Sequence, residues 1–291
     1  MLWLGNAQMT LVVSIKVNDG LVLAADSAST MVRTHANGQQ EVCNVYNNAD
    51  KVFNLVRRGS VCYPIGAVTF GAGSIGPASI STLVKDFRKI IADASHPLYV
   101  DPGNYTVLGV ATKFRQFMLE DKYNSVFGSQ AGKPDLGFII GGYSSNADVA
   151  EDYALVALGG QFLGPDIYPT IDGSSINYFG QPEAVERLLY GVSLGLPDFF
   201  INNLSTSSAD AYTLHRSLKQ TLEVRLVDAA MPIQDAIDLA EFLVDLTAKF
   251  IRFQEGAQTV GGPIEIATIT KHEDFKWVKR KHFYKRELQP I

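Results

Sequence analysis

The clearest alternation in the chain lies at 11–26, where two β-rich runs, LVVSIKV and LVLAAD, flank the turn-forming trio Asn18-Asp19-Gly20. This pattern predicts a hairpin. A polar stretch through Asn37-Gly38 follows without a period. Lys51 to Leu55 and Ala67 to Phe70 then read as strands, so four strands are expected before any helix. Helical spacing begins after Pro77, with Ile80, Leu83, Val84, Phe87, Ile90 and Ile91 on one face and Lys85, Asp86, Arg88 and Lys89 on the other. A second amphipathic run over 105–121 places Phe114, Phe117 and Met118 on its apolar side, and both helices are expected to cover a sheet.

Strand patterns return at 136–142, 153–158, 167–171 and 176–179. Pro182 introduces a helix over 183–190, and longer helices are expected over 209–229 and 232–253, the last with proline at its first turn. Gly195-Leu196-Pro197 and Ser205 to Ser208 read as loops. Gly261-Gly262-Pro263 ends the helical region, and strands follow at 264–270 and 275–278. Strands and helices thus come in blocks and do not alternate as βαβ units, which predicts antiparallel sheets with helices on their outer faces.

The chain has 291 residues, 46% of them hydrophobic and 19% charged, enough to bury a sizeable core. A net charge of -5 argues against nucleic acid as a partner, because neutralising phosphates needs clustered Lys and Arg. The exception is the basic segment FKWVKRKHFYKR toward the C-terminus, which reads as a solvated strand or end segment. Cys43 and Cys62 are the two cysteines, and their spacing is neither a metal site nor a disulfide framework. The opening MLWLGNAQ lacks the features of a secretory leader, and no apolar run approaches a membrane span. A reducing, cytoplasmic setting without membrane attachment is expected.

Three places hold candidate chemistry. The segment GAGSIG, Gly71 to Gly76, matches GxGxxG, with Asp101 as a possible ribose-binding acid, and it matches a relaxed nucleophile elbow at Ser74, with His215 or His272 as base. Several strands precede these glycines, which is unusual for a dinucleotide fold, and neither histidine has a recognisable setting. The third place is the opening hairpin. Met9 stands directly before Thr10, so a chain starting at Met9 would expose Thr10 once its methionine is removed. A terminal threonine offers a hydroxyl nucleophile and an α-amine base on one residue. A buried lysine paired with an aspartate would tune both, and Asp26 and Lys51 stand at strand ends from which they can reach Thr10. The plainer readings, Asp26 as a turn former and Lys51 as a surface cation, stay open at this point.

The segments TLVVSIKVNDGLVLAADSAST, NADKVFNL, AVTFGAGS and VGGPIEIATIT together resemble the proteasome β-subunit family, including the bacterial proteasome-like threonine peptidases, among the N-terminal-nucleophile hydrolases. The resemblance implies a four-layer αββα sandwich of two antiparallel sheets flanked by helices. It also implies a threonine peptidase in which Thr10 is the nucleophile, Asp26 and Lys51 tune it, and the Gly71 N–H helps form the oxyanion hole. No metal or organic cofactor is implied. Peptide or protein is the implied substrate, and the expected assembly is a homo-oligomeric ring, its unfoldase partner, if any, unknown. The domain would run over 10–291, with an insertion at about 96–134 and a basic C-terminal extension, while 1–9 would be a short propeptide or an over-extended start.

Two features depart from the family. Its Gly-Ser-Gly serine falls on Phe179, and the aspartate and serine before its late Gly-Gly fall on Ala257 and Val260. Glu255, Gln258, Thr259, or Ser174 and Ser175 are the candidates to substitute for those groups, beside their plainer reading as polar loop residues. An inactive ring or scaffold subunit, a small-molecule amidase and a dinucleotide-binding oxidoreductase are the alternative readings.

Overall fold

A computed structural model describes residues 10–35, 40–55, 63–130, 132–167 and 173–281. Strand β1 (Leu11–Val17) is buried along its whole length because it is covered on both faces. Leu11, Val13, Ile15 and Val17 pack against the long helix that ends the helical region, in a cluster with Ala236, Ile237, Ala240, Leu243 and Val244. Val12 points the other way, into a cluster with Val68, Phe70 and Ile139. The two-residue period of a strand therefore puts Thr10, Ser14 and Lys16 on the same face as Val12.

The hairpin partner β2 (Gly20–Ala25) continues this pattern, pairing Val12 with Ala25 and Val17 with Gly20. Three more strands complete the first sheet: β12 (Ser175–Gly180), β13 (Glu265–Thr270) and β14 (Asp274–Lys279), in the order β12-β1-β2-β13-β14. The second sheet is built from β5 (Val52–Asn54), β6 (Ile65–Gly71), β9 (Leu136–Gly142), β10 (Glu151–Leu158) and β11 (Gln161–Ile167), in the order β11-β10-β9-β6-β5. Every pairing in both sheets is antiparallel. The molecule is thus a mixed α/β fold of antiparallel sheets and helices.

Helix α1 (Ile80–Ile91) buries Ile80, Leu83, Val84, Phe87 and Ile91, the stripe expected from the sequence, and Ser79 caps it by accepting from the Thr82 amide. Helix α2 (Val107–Arg115) runs on through a π-helical stretch over 116–123 into α3 (Asn124–Phe127). Phe114, Phe117, Met118 and Tyr123 of this run join α1 and the second sheet in one apolar cluster. The span read as an insertion therefore supplies core. On the first sheet, α4 (Glu183–Tyr190) and α7 (Ile233–Arg252) supply the covering apolar residues.

Several expectations need correction. Among the described residues eight strands precede the first helix, not four, because a hairpin of β3 (Ser29–Thr34) and β4 (Gln40–Tyr46) and a ribbon of β7 (Ser74–Ile75) and β8 (Ala78–Ser79) intervene. The hairpin exposes Met31, Val42 and Tyr46, so it lacks the one-sided burial that writes alternation into a sequence. Gly195-Leu196-Pro197 is no loop; it opens α5 (Leu196–Leu204), with Pro197 in the first turn. Helix α6 (Ser208–Leu222) stops short of 229 because the chain leaves the helix to bury Val227 against the first sheet. β11 lies earlier than the strand expected at 167–171, and residues 168–171 lie outside the described residues. So do Asn37-Gly38, Cys62, residues 1–9 and the basic segment beyond Lys281. Among the described residues no helix is long and apolar enough to cross a membrane.

Thr10 is fixed at the head of β1 by the end of β12. The Gln181 amide donates to the Thr10 carbonyl at 2.7 Å, and a Cβ on Gly180, whose φ is +101°, would lie 1.9 Å from that oxygen. Gly180→Ala should therefore cost about 1–3 kcal/mol from the left-handed backbone alone, with a further loss from displacing Thr10. Urea unfolding checks this; an unchanged midpoint would show that the approach is not tight.

Candidate active site

The turn after β2 and the segment before β5 converge on the start of β1. Lys51 Nζ lies 2.6 Å from Thr10 Oγ1 and 2.7 Å from Asp26 Oδ1. All three residues are buried, with Thr10 2%, Asp26 0% and Lys51 5% exposed. The chain thus spans 15 positions between Leu11 and Asp26, and 41 between Thr10 and Lys51, to bring the trio into one hydrogen-bonded cluster.

Asp26 is held from both oxygens. Oδ1 accepts from Lys51 and from the Leu11 amide at 3.1 Å, while Oδ2 accepts from the amides of Ala28 and Gly261, each at 3.0 Å. Four donors compensate a carboxylate that is shut away from solvent. The late Gly-Gly pair is therefore structural support for Asp26. Gly261 gives it an N–H, and Gly262, at φ +74°, turns the chain where a Cβ would lie 2.4 Å from the Asn47 carbonyl.

Lys51 sits in a conflict between burial and pairing. Burial pushes its pKa down from the usual lysine value, Asp26 pushes it up by charge and by hydrogen bonding, Lys281 pushes down and Glu265 pushes up. Burial wins, so Lys51 gives up its proton more readily than a surface lysine. A lysine in that condition, touching a hydroxyl, can take the hydroxyl's proton.

Gly71 stands outside the trio. It ends β6 and is exposed, with φ +85°, and an added Cβ would lie 2.3 Å from the Asp135 carbonyl. The Thr69 amide donates to the Lys51 carbonyl at 2.9 Å, so β6 passes Lys51 and reaches Gly71 two residues later. The rest of GAGSIG does not build a phosphate cradle. The β7–β8 ribbon, with Gly76 in its turn, intervenes in sequence between Gly73 and α1; Ser79 caps the helix, and the Ile80 amide donates to the Gly73 carbonyl at 3.1 Å. Ser74 lies in that ribbon and not on a strand-to-helix elbow. His215 is on α6, where burial and Lys219 lower its pKa, and His272 is in the β13–β14 turn. Asp101 closes a local turn by accepting from the Gly103 amide at 2.9 Å.

The positions that depart from the proteasome pattern are apolar in structure as well. Phe179 pairs with Val12 and stacks on Phe70 at a centroid distance of 4.7 Å and an interplanar angle of 7°. Val260 is fully buried against the α7 face, and Ala257 is exposed. Ser175 pairs with Lys16, at the opposite end of β1 from Thr10, which removes Ser174 and Ser175 as local substitutes. Gln258 comes near, since a Cβ on Gly261 would lie 2.8 Å from its Nε2, whereas Glu255 is exposed and Thr259 half-buried.

Sequence reasoning missed Glu265 and Lys281. Glu265 heads β13, is 1% exposed, pairs across from Ala25, and accepts from the Lys51 amide at 3.4 Å. A lone acid at the head of the run EIATIT was the available signal. A second buried polar group on the same face of β1 also went unseen. Ser14 donates to Asp152 Oδ2 at 2.9 Å, Asn177 Nδ2 donates to the same oxygen at 2.7 Å, and Lys16 lies 3.4 Å from Oδ1.

An asparagine in place of Asp26 would present amide N–H groups where the carboxylate accepts from backbone amides, so Asp26→Asn should destabilise the fold by about 3–5 kcal/mol. A shift in the urea midpoint of under about 1 kcal/mol equivalent would show that Lys51 and Asp26 are not a coupled buried pair.

No family model matches the chain, and no curated protein matches it. Solved structures do. One is the helical assembly of the Anbu complex from Pseudomonas aeruginosa, 14% identical over 94% of this chain and 89% of that one, with a TM-score of 0.51. Another is a Gly-1 mutant of Anbu from Hyphomicrobium sp. strain MC1, 13% identical over the same shares, with a TM-score of 0.48. With no family model matching and a likeness that at 14% identity is one of fold, the assignment to the proteasome β-subunit family drawn from the sequence motifs is overturned. What the chain shares, at this identity, is a fold with an Anbu chain.

Proposed function

We propose that this chain is an amide hydrolase of the threonine-peptidase type, working through Thr10 once that residue is freed as an N-terminus. The observation that carries the reading is the 2.6 Å contact between Lys51 Nζ and Thr10 Oγ1, with Asp26 on the same amine. A threonine hydroxyl is a weak nucleophile unless a base stands beside it. The fold shared with an Anbu chain is consistent with the same reading.

In the proposed reaction neutral Lys51 takes the Oγ1 proton as the oxygen attacks the amide carbon. The C–N bond then breaks, the amine leaves with that proton, and an acyl ester remains on Thr10. Water hydrolyses the ester and returns the hydroxyl. The freed α-amine of Thr10 is a second base on the same residue, able to relay the proton to the leaving amine or activate the water. With Met9 attached, that nitrogen is an amide and cannot do so. We assign the Gly71 N–H to the oxyanion, because its left-handed φ turns the backbone at the end of a strand adjoining Lys51.

The same reading extends to architecture. The three apolar clusters, α1 and α2 on the second sheet, sheet on sheet, and α4 and α7 on the first sheet, are consistent with a four-layer αββα sandwich forming one domain from residue 10 onward. Self-association into a homo-oligomer is part of the proposal, supported by the helical assembly of the Anbu complex.

A scaffold subunit is the second reading, favoured by one observation: Phe179, stacked on Phe70 and paired with Val12, puts an aromatic side chain and no polar group on the sheet face that carries Thr10. The two separate in one experiment. A chain beginning at Met9 should lose its methionine, give an intact mass that starts at Thr10, and cleave short peptide amides. Thr10→Ala should abolish cleavage, a loss of at least about 1,000-fold. Equal activity in both chains would end the threonine reading, and no activity in either would favour the scaffold.

A further inference from the structure

In the described part of the basic segment, Lys276, Lys279 and Arg280 are exposed, as a solvated strand requires. Just after β14, Lys281 turns inward, its side chain only 7% exposed. Its ammonium donates to Ser27 Oγ at 2.8 Å and to the Ala49 carbonyl at 2.6 Å, and lies 3.1 Å from Glu265 Oε2 and 3.7 Å from Asp50 Oδ1. Each partner borders the Thr10 site. Ser27 follows Asp26, Ala49 and Asp50 precede Lys51, and Glu265 shares its Oε2 with the Lys51 amide.

Further bonds lock the same three segments. Ser27 Oγ donates to the Pro263 carbonyl at 2.6 Å, the Ala49 amide donates to the Ser27 carbonyl at 3.0 Å, and the Ser27 amide donates to the Gly261 carbonyl at 2.9 Å. A cation at their junction can satisfy a hydroxyl, a carbonyl and two carboxylates together, because an ammonium is a multiple donor with a full charge. A buried Glu265 without it would be an uncompensated charge.

We propose that Lys281 is a positioning residue for Thr10 chemistry: it fastens the Asp26 and Lys51 segments to β13 and sets the balance of charge around the Lys51 amine. The proposal rests on the hydrolase reading above. Lys281 does not touch Thr10, so it acts only through its neighbours. The charged groups that face Lys51 are Asp26 from the β2 turn, Glu265 from β13 and Lys281 itself, joined in a chain beginning at Thr10 by the Thr10 α-amine, which is common to every variant compared, while Asp50 reaches the ensemble by pairing with Lys281.

Taking away the Lys281 charge removes one cation that opposes the two carboxylates at Lys51, which raises its pKa relative to wild type although burial still lowers it. Lys51 serves as base only when neutral, so the rising limb of rate against pH must move upward. Replacement by arginine keeps the charge and should keep the limb in place.

The test uses a chain starting at Thr10 and a fluorogenic peptide amide, with kcat and KM followed against pH for wild type, Lys281→Gln and Lys281→Arg, and circular dichroism as the check on folding. Lys281→Gln should lower kcat near neutral pH, leave KM within about twofold, and shift the rising limb alkaline by about 0.5–1 pH unit; Lys281→Arg should restore the limb. A folded Lys281→Gln with the wild-type limb, or with a lower plateau and an unmoved limb, overturns the proposal and leaves Lys281 a structural fastener. If Lys281→Gln does not fold, Lys281→Arg decides alone, a coincident limb supporting the proposal and a displaced one contradicting it. If wild type shows no Thr10-dependent cleavage, the hydrolase reading fails and the proposal falls with it.

Discussion

A lysine amine shared between one hydroxyl and one carboxylate, away from solvent, is the constraint on which the arrangement around β1 depends. Burial makes Lys51 give up its proton more readily than a surface lysine, yet a desolvated ammonium with no partner would cost several kcal/mol. Asp26 offsets that cost and in turn needs four donors of its own, which fixes the Leu11, Ala28 and Gly261 amides around it. The requirement spreads outward. Gly261 is held by the turn at Gly262, the Asp26 segment is held by Ser27, and Ser27 is held by Lys281. A polar site of three side chains thereby recruits residues from both ends of the chain.

Much of this was legible where burial repeats with a local period. The 11–26 hairpin, the α1 stripe, the α7 stripe and strands β9 and β13 each have one or two buried faces, so the residue pattern carries the element. That Thr10, Asp26 and Lys51 can meet was legible in part, since the positions fall at strand ends that a hairpin and its neighbour can bring together, but the residues alone left Asp26 as a turn former and Lys51 as a surface cation open. Elements without a buried face left no such trace. The β3–β4 hairpin is largely exposed, and α5 begins with a Gly-Leu-Pro that reads equally well as a turn. Its exposed Phe199 and Leu204 blur any helical stripe.

The supporting layer was illegible because it is non-local. Lys281 meets Ser27 across 254 positions and Ala49 across 232, and Glu265 meets Lys51 across 214. Nothing in a basic run predicts that one of its lysines will fold inward onto two carboxylates. The same holds for Lys16 and Asp152, which join the two sheets at the far end of β1. Family motifs misled in a related way: they pointed to a proteasome β-subunit, whereas no family model matches and the likeness found is one of fold. Motif positions record the trio, while Phe179, Ala257 and Val260 record how differently its surroundings are built.

The central claim is that Thr10 Oγ1, activated by Lys51, forms a covalent ester with the acyl part of its substrate. Intact-mass spectrometry after brief exposure to an acylating peptide β-lactone tests it most directly, on a chain beginning at Thr10. The account predicts a single adduct of the reagent's mass, mapped to Thr10 by fragmentation, and absent in Lys51→Met. An unmodified chain, or an adduct on any other residue that persists in Thr10→Ala, would contradict it.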